Sequence, residues 1–258
     1  FKETKSKDVR LKGCAIDALS KKSRTNKRLK KRLVPVLMSL SRDKEVAIRA
    51  NAIAGLGNLA DPKTFSAIQK ALKDKSEQVL ASAVGALRNF EKPEIEGILK
   101  SMSTHSNSDV LAQVARSYGV RGYESGVPIV LGYGSRSELP VRVESTQAIV
   151  RFVSQGKTIK TSFDFFTKRL NDDNPDVRII ALSGLGKSTD PRRVEAISSL
   201  VQDTNENVQL TSIKLLGDTK DQRAVEALGS GLASESTSVR KAAILALLKL
   251  TGPGATQT

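Results

Sequence analysis

The side chains best suited to chemistry are few in this sequence and stand far apart. His105 is the only histidine and Cys14 the only cysteine among 258 residues. A histidine acts as base or ligand only when a nucleophile, an orienting carboxylate or further ligands converge on it. No second His and no Cys pair exists to complete a zinc-type site, so His105 is expected to be a solvated turn residue. Cys14 has no disulfide partner in the chain; between Gly13 and Ala15 it reads as a free, partly buried small apolar side chain. The G-x-x-x-x-G-K-[ST], G-x-S-x-G and H-E-x-x-H patterns are absent, and Gly132, Tyr133, Gly134 and Ser135 are too short a run for a phosphate loop. Neither a catalytic set, nor a metal site, nor a cofactor is expected.

Charge is more informative. The formal net charge is +15, and residues 1–50 carry sixteen Lys and Arg against five Asp and Glu. The excess is densest at Lys21, Lys22, Arg24, Lys27, Arg28, Lys30, Lys31 and Arg32, without an intervening carboxylate. Such a run attracts carboxylate or phosphate surfaces. No aromatic residue is interleaved for base stacking, so a nucleic-acid partner would be held by its backbone alone, with strong salt dependence and no sequence preference. An acidic protein, a membrane surface or plain solvation of a loop fits the same run.

The elements that must carry these residues follow from a repeat. Segments beginning at Leu11, Ile48, Val79, Val110, Val141, Val177, Val208 and Val239 are spaced by 37, 31, 31, 31, 36, 31 and 31 residues. A period of this size denotes a stacked repeat protein, whose work is binding along an extended surface. Counting from each first residue as zero, positions 0, 4, 7 and 8 are apolar or small, one stripe of an α-helix. Thirteen residues after the anchor come breaks such as Asp61-Pro62, Lys92-Pro93 and Asp190-Pro191. Asp before Pro suits a helix start, since the carboxylate accepts an orphan N–H and proline presets φ. A second helix follows, as in Phe65, Ile68 and Leu72 or Val194, Ile197 and Leu200, so each repeat is a helical hairpin. Small residues at position 4 let neighbouring helices approach, and Gly57, Gly119, Gly186 and Gly217 at position 9 read as helix stops.

The D-P starts, the V-R-x-x-A-x-x-A-L-G helix and an Asp five residues before the anchor resemble a HEAT-repeat protein, specifically the short bacterial HEAT-like type also named after phycobilisome lyases. The resemblance runs from about Val9 to Leu250. It implies an all-α fold, a right-handed α-solenoid of about seven and a half to eight repeats. It also implies a ladder of Asp43, Asp74, Asp172 and Asp203 with Arg49, Arg178 and Arg240, broken where Leu80, Leu111 and Gln209 replace Arg. In such families the second helix of each hairpin lines the concave face. Positions 3, 6 and 10 then form a polar stripe, and Asn51, Gln113, Arg116, Gln147, Arg151, Lys187 and Lys214 are its expected partner-binding residues.

Residues 1–250 are expected to form a single solenoid, irregular near 20–32 and 118–172, with a flexible tail at 251–258. Seven of the ten aromatic residues and six glycines fall between Tyr118 and Phe166, which marks a hinge or binding spot. Tyr118, Tyr133, Phe163 and Phe166 fit core columns, whereas Tyr123 and Phe165 are the expected exposed anchors. The first repeat lacks an outer helix, leaving a core face for dimerisation or for upstream repeats. The function expected is a non-enzymatic scaffold binding an acidic protein along its concave face. The alternatives are nonspecific nucleic-acid binding by the basic run, and a lyase or DNA glycosylase-like subunit. No apolar run long enough for a membrane span is present, and a cytoplasmic location is favoured over export with a removed signal peptide.

Overall fold

The computed structural model describes residues 1–23 and 25–251; Arg24 of the basic run and residues 252–258 of the expected tail lie outside the described residues. All regular structure among the described residues is helical. The chain divides into two compact units, Phe1–Ile129 and Val130–Thr258. The first holds α1 (Val9–Ser23), α2 (Lys27–Leu40), α3 (Val46–Leu59), α4 (Phe65–Ala71), α5 (Glu77–Leu87), α6 (Ile95–Met102) and α7 (Ser108–Arg121), and the boundary falls within α8 (Val127–Tyr133). The second holds α9 (Leu139–Ser154), α10 (Ser162–Arg169), α11 (Pro175–Gly186), α12 (Arg193–Ser198), α13 (Glu206–Asp218), α14 (Ala224–Ser230) and α15 (Thr237–Thr251). The odd-numbered helices are the eight repeated segments. Each but α1 is preceded by its even-numbered hairpin partner, and α1 has only the 3-10 turn Glu3–Lys5 before it.

Burial separates the two kinds of helix. In the first unit α3 packs between α1 and α5 with α2 and α4 on its flank; in the second, α11 lies between α9 and α13, and α13 between α11 and α15. α3, α11 and α13 are thus each covered on three sides. In α3, Ile48, Ala52 and Leu56 have no exposed surface, and Ala50 and Ile53 are buried as well. An even-numbered helix hides one stripe only, as Ile95 and Leu99 in α6. Neither kind could bury its apolar area alone, which is why the hairpins are stable as a stack.

Of the glycines at position 9, Gly186 is the last residue of α11, as expected of a helix stop, whereas α7 and α13 run on past Gly119 and Gly217. α3 runs on past Gly57 to Leu59 and ends at Ala60, whose φ of 46° is left-handed. A Cβ on Gly57 would lie 2.5 Å from the Cβ of Ala86, and one on Gly217 would lie 2.9 Å from the Cβ of Ala246. These glycines let successive odd-numbered helices touch almost backbone to backbone.

The aromatic residues between 118 and 166 are largely packing groups. Tyr118, Phe152 and Phe166 are fully buried, and Phe165, expected at the surface, is buried too. Its ring occupies the space left by Gly134, where a Cβ would stand 2.4 Å from Phe165 Cε2. Glycine and ring are two halves of one contact. Tyr123 is half-buried, with the Arg121 guanidinium over its ring at 5.3 Å and Arg121 Nε donating to its hydroxyl at 3.2 Å.

Candidate interaction surfaces

The charged side chains fall into those that hold hairpins together and those left for something else. The holding set repeats one geometry. Arg178, one residue into the α11 stripe, donates from Nε and Nη2 to both carboxylate oxygens of Asp203 at 2.9 and 2.7 Å, and from Nη1 to the Asp172 and Asp173 carbonyls of the turn before its own helix. Asp203 also accepts from the Asn205 N–H at 2.8 Å. One guanidinium therefore clamps two successive turns. Arg49 does the same with Asp74 and the carbonyls of Asp43 and Lys44. Lys12 stands in for arginine opposite Asp43.

A rung absent from the sequence expectation joins Arg142 to Asp172, with Nε–Oδ2 and Nη2–Oδ1 at 2.8 and 3.0 Å. The usable signal was Arg directly after the Val141 anchor; the 36-residue gap obscured it. Arg240, counted as a ladder member, meets no carboxylate among the described residues. Its Nη1 bonds the Ser234 and Glu235 carbonyls at 2.8 Å each, and Nη2 bonds Thr237 Oγ1 at 3.0 Å. Gln209 reaches only the Asp203 carbonyl of its own turn.

His105 occupies the Asp column of this ladder, five residues before Val110. Its Nδ1 accepts from the Asn107 N–H at 3.1 Å, as the aspartates accept from theirs, and its Nε2 lies 3.6 Å from Glu77 Oε2. The rung opposite is Leu80, so no arginine arrives. The histidine is a turn cap.

The rungs shift titration. Hydrogen bonding from Arg49 is the main influence lowering the Asp74 carboxyl below its ordinary value, and Lys12 acts likewise on Asp43. In Asp172 burial alone would raise the carboxyl, but the Arg142 bonds, the Asn174 N–H and nearby charge outweigh it and the net direction is down. Burial lowers Arg169, whose guanidinium donates to the Gly134 carbonyl and lies over the Phe165 ring at 5.6 Å.

The expected partner-binding residues occupy the least buried edge of the odd-numbered helices. In the first unit Asn51 is exposed, while Gln113 and Arg116 are half-buried and Arg88 Nη1 donates to Gln113 Oε1 at 3.0 Å. In the second, Gln147 and Arg151 are half-buried, with Arg151 Nη1 3.7 Å from Glu144 Oε2, and Lys187 and Lys214 are exposed.

The basic run is brought to one place by the turn from α1 into α2, where Asn26 caps α2 by accepting from the Leu29 N–H at 2.9 Å. Lys21 pairs with Asp17 at 2.7 Å and Arg32 covers the Phe1 ring at 4.8 Å. Lys22, Lys27, Arg28 and Lys31 are exposed and Lys30 half-buried, and none of these five has a carboxylate partner among the described residues. Cys14 is exposed, contrary to its expected burial, because α1 has no helix before it to cover that face. Among the described residues no cluster of three or more His, Cys, Asp or Glu could hold a metal ion, and no helix is long and apolar enough to cross a membrane.

The family model for HEAT repeats matches residues 3–88, 34–116 and 163–249. The chain belongs to the HEAT-repeat family. Among solved structures, YibA of E. coli is similar at a TM-score of 0.66 and 19% identity, over 88% of this chain and 86% of that one. The complex of CpcE and CpcF of phycocyanin lyase from Nostoc sp. PCC7120 is similar at 0.54 and 16%, over 96% and 92%. Kap95p, in a structure of its binding to RanGDP, is similar at 0.54 and 15%, over 84% of this chain and 35% of that one. A search of the curated proteins finds no match. At these identities the likeness is one of fold, and the HEAT repeat accounts for the hairpins and the clamps.

Proposed function

We propose that this HEAT-repeat chain is a non-catalytic adaptor that holds a protein partner along the polar edge of its odd-numbered helices, with the basic end of the first unit favouring an acidic one. The observation that carries the reading is the division of charge. The ladder cations Arg49, Arg142 and Arg178 are neutralised by carboxylates of the same chain, whereas Lys187, Lys214 and the run around α2 project toward solvent. Charge left outward on an otherwise self-satisfied stack serves recognition and speeds encounter more than it serves stability. CpcE with CpcF, and Kap95p with RanGDP, show stacks of this fold engaged with protein partners.

The test places a photo-crosslinker at Lys187 or Lys214 and, as control, at Lys63, and captures partners from lysate of the source cells. A partner crosslinked from the two edge positions alone, and lost on reversing Arg116, Arg151 and Lys187 to glutamate, supports the reading. Equal crosslinking from Lys63 removes it.

The uncompensated cations of α1 and α2 favour a second reading, sequence-indifferent contact with the phosphate backbone of nucleic acid. Duplexes of two unrelated sequences should then bind alike, with affinity falling steeply as salt rises. No binding even at low salt would end it.

A further inference from the structure

Two grooves meet across α4 in the first unit, and Asn51, Gln113 and Arg116 of the polar edge line neither. One runs between α2 and α4 and encloses about 310 Å³; the other runs between α4 and α6, and Ser66 and Lys70 line both. Arg42, Lys70 and Lys73 stand along them, all exposed and none with a carboxylate partner among the described residues. The lining holds one carboxylate, Asp74, and the Arg49 fork takes both of its oxygens. Three cations therefore face a trough that offers no anion of its own.

The fold does not require these charges. Setting the Arg49–Asp74 clamp on the Arg178–Asp203 clamp of the second unit places Arg42, Lys70 and Lys73 on Asn171, Ser199 and Gln202, and Ser66 on Glu195. The second clamp closes at 2.9 and 2.7 Å without them. The cations beside Asp74 are an addition to the repeat.

The walls between them are apolar and adaptable. Met38 lines the first groove and Met102 the second, so both methionines of the chain are here, with Ile98 beside Met102. An unbranched thioether repacks against differing side chains, which suits a groove that reads charge and tolerates varied neighbours. A carboxylate is answered by a single guanidinium fork, whereas a guanidinium, an ammonium and the exposed Ser66 hydroxyl together match the three oxygens and near-double charge of a phosphate monoester. Continuation of the trough past α4 favours an extended chain over a compact molecule.

We infer that these grooves dock an extended peptide carrying a phosphorylated serine or threonine, with the phosphate between Arg42 and Lys70 and the adjoining residues crossing α4 toward Lys73. The site is separate from the polar edge and from the basic run of α2. It can fail while the adaptor reading stands, and the reverse.

A library of short immobilised peptides with a central phosphoserine and randomised flanks, probed with the whole chain beside the same library bearing serine, tests this. The chain should be retained by phosphoserine peptides and not by their serine counterparts. Fluorescence anisotropy with the strongest peptide should show affinity falling about tenfold or more in Arg42→Ala with Lys70→Ala. Helical circular dichroism should be unchanged, because both side chains are exposed. Lys73→Ala should weaken binding less, and Lys27→Ala with Arg28→Ala and Lys31→Ala should leave it as it was. Retention by neither library at low salt, or equal retention by both, overturns the inference. Free phosphoserine binding as tightly as the strongest peptide also overturns it, since the site would then take a compact anion. So does loss of binding in the α2 variant with none in the groove variant, which would return the phosphate to the basic run.

Discussion

Arg178 of α11 and Asp203 of the turn before α13 meet fork to fork, with only 11% and 7% of their side chains exposed. The pair takes two charges out of water and returns two parallel hydrogen bonds, so its strength depends on both partners being present.

Asp203→Asn should therefore be costly, because it leaves a buried guanidinium half-answered. A loss of about 3 kcal/mol or more in urea unfolding is expected. Asp17→Asn, which removes the exposed pair with Lys21, should change stability by less than about 0.5 kcal/mol. Equal losses would mean that the buried rung is no more than a surface contact.

Ser212 is one of two serines in its column. Ala52, Ala83, Ala181 and Ala243 occupy position 4 elsewhere, and the buried Ser212 hydroxyl has no hydrogen-bond partner. Ser212→Ala should raise stability by about 1 kcal/mol. Ser145, in the same column, donates to the Arg142 carbonyl at 2.9 Å, and its alanine variant should gain nothing. The two thermal midpoints, compared with wild type, check the contrast.

Two glycine-to-alanine changes should move in opposite directions. In an exposed helix interior the change stabilises by up to about 1 kcal/mol, and Gly97 of α6 has nothing within 4 Å of a new Cβ. At Gly57 the new methyl would collide with Ala86, and overpacking should destabilise by about 1–3 kcal/mol. A stabilised Gly57→Ala would show that α3 and α5 separate freely.

Acid should loosen the clamps. The Asp43, Asp74 and Asp172 carboxyls titrate below their ordinary values when folded, so their stabilisation is complete above the unfolded carboxyl value near 4 and is lost as pH falls through the lower folded values. The urea midpoint should drop on acidification below about pH 4. Asp74→Asn with Asp172→Asn should start lower and fall less over the same range. A parallel fall would place the acid sensitivity in other groups.

What the sequence made legible was whatever repeats. The apolar stripe of every odd-numbered helix, the Asp starts and the Asp43, Asp74, Asp172 and Asp203 column recur at fixed intervals, and periodicity is the strongest local signal a sequence carries. What it concealed depends on neighbours. Gly57 looks like a helix stop until Ala86 is seen against it, and Phe165 looks exposed until the space at Gly134 is known. Arg142 has the right position but an off-period partner. Arg240 has the right position, yet among the described residues it bonds only carbonyls and a hydroxyl of its own turn. The polar edge residues illustrate a further limit: Asn51, Lys187 and Lys214 are exposed and Gln113 is engaged by Arg88, a difference set by side chains 25 residues away in the last case.

Two rungs, Arg49 with Asp74 and Arg178 with Asp203, join an arginine of one hairpin to an aspartate 25 residues later. Cutting out residues 44–74, one 31-residue period, would remove Arg49 and Asp74 together and leave Lys12 facing Asp43. Cutting out residues 173–203 would remove Arg178 with Asp203 and spare Arg142 with Asp172. The chain can thus lose or gain length in whole periods without stranding a charge, whereas a shorter insertion or deletion inside a period would break the register of donor and acceptor on both sides.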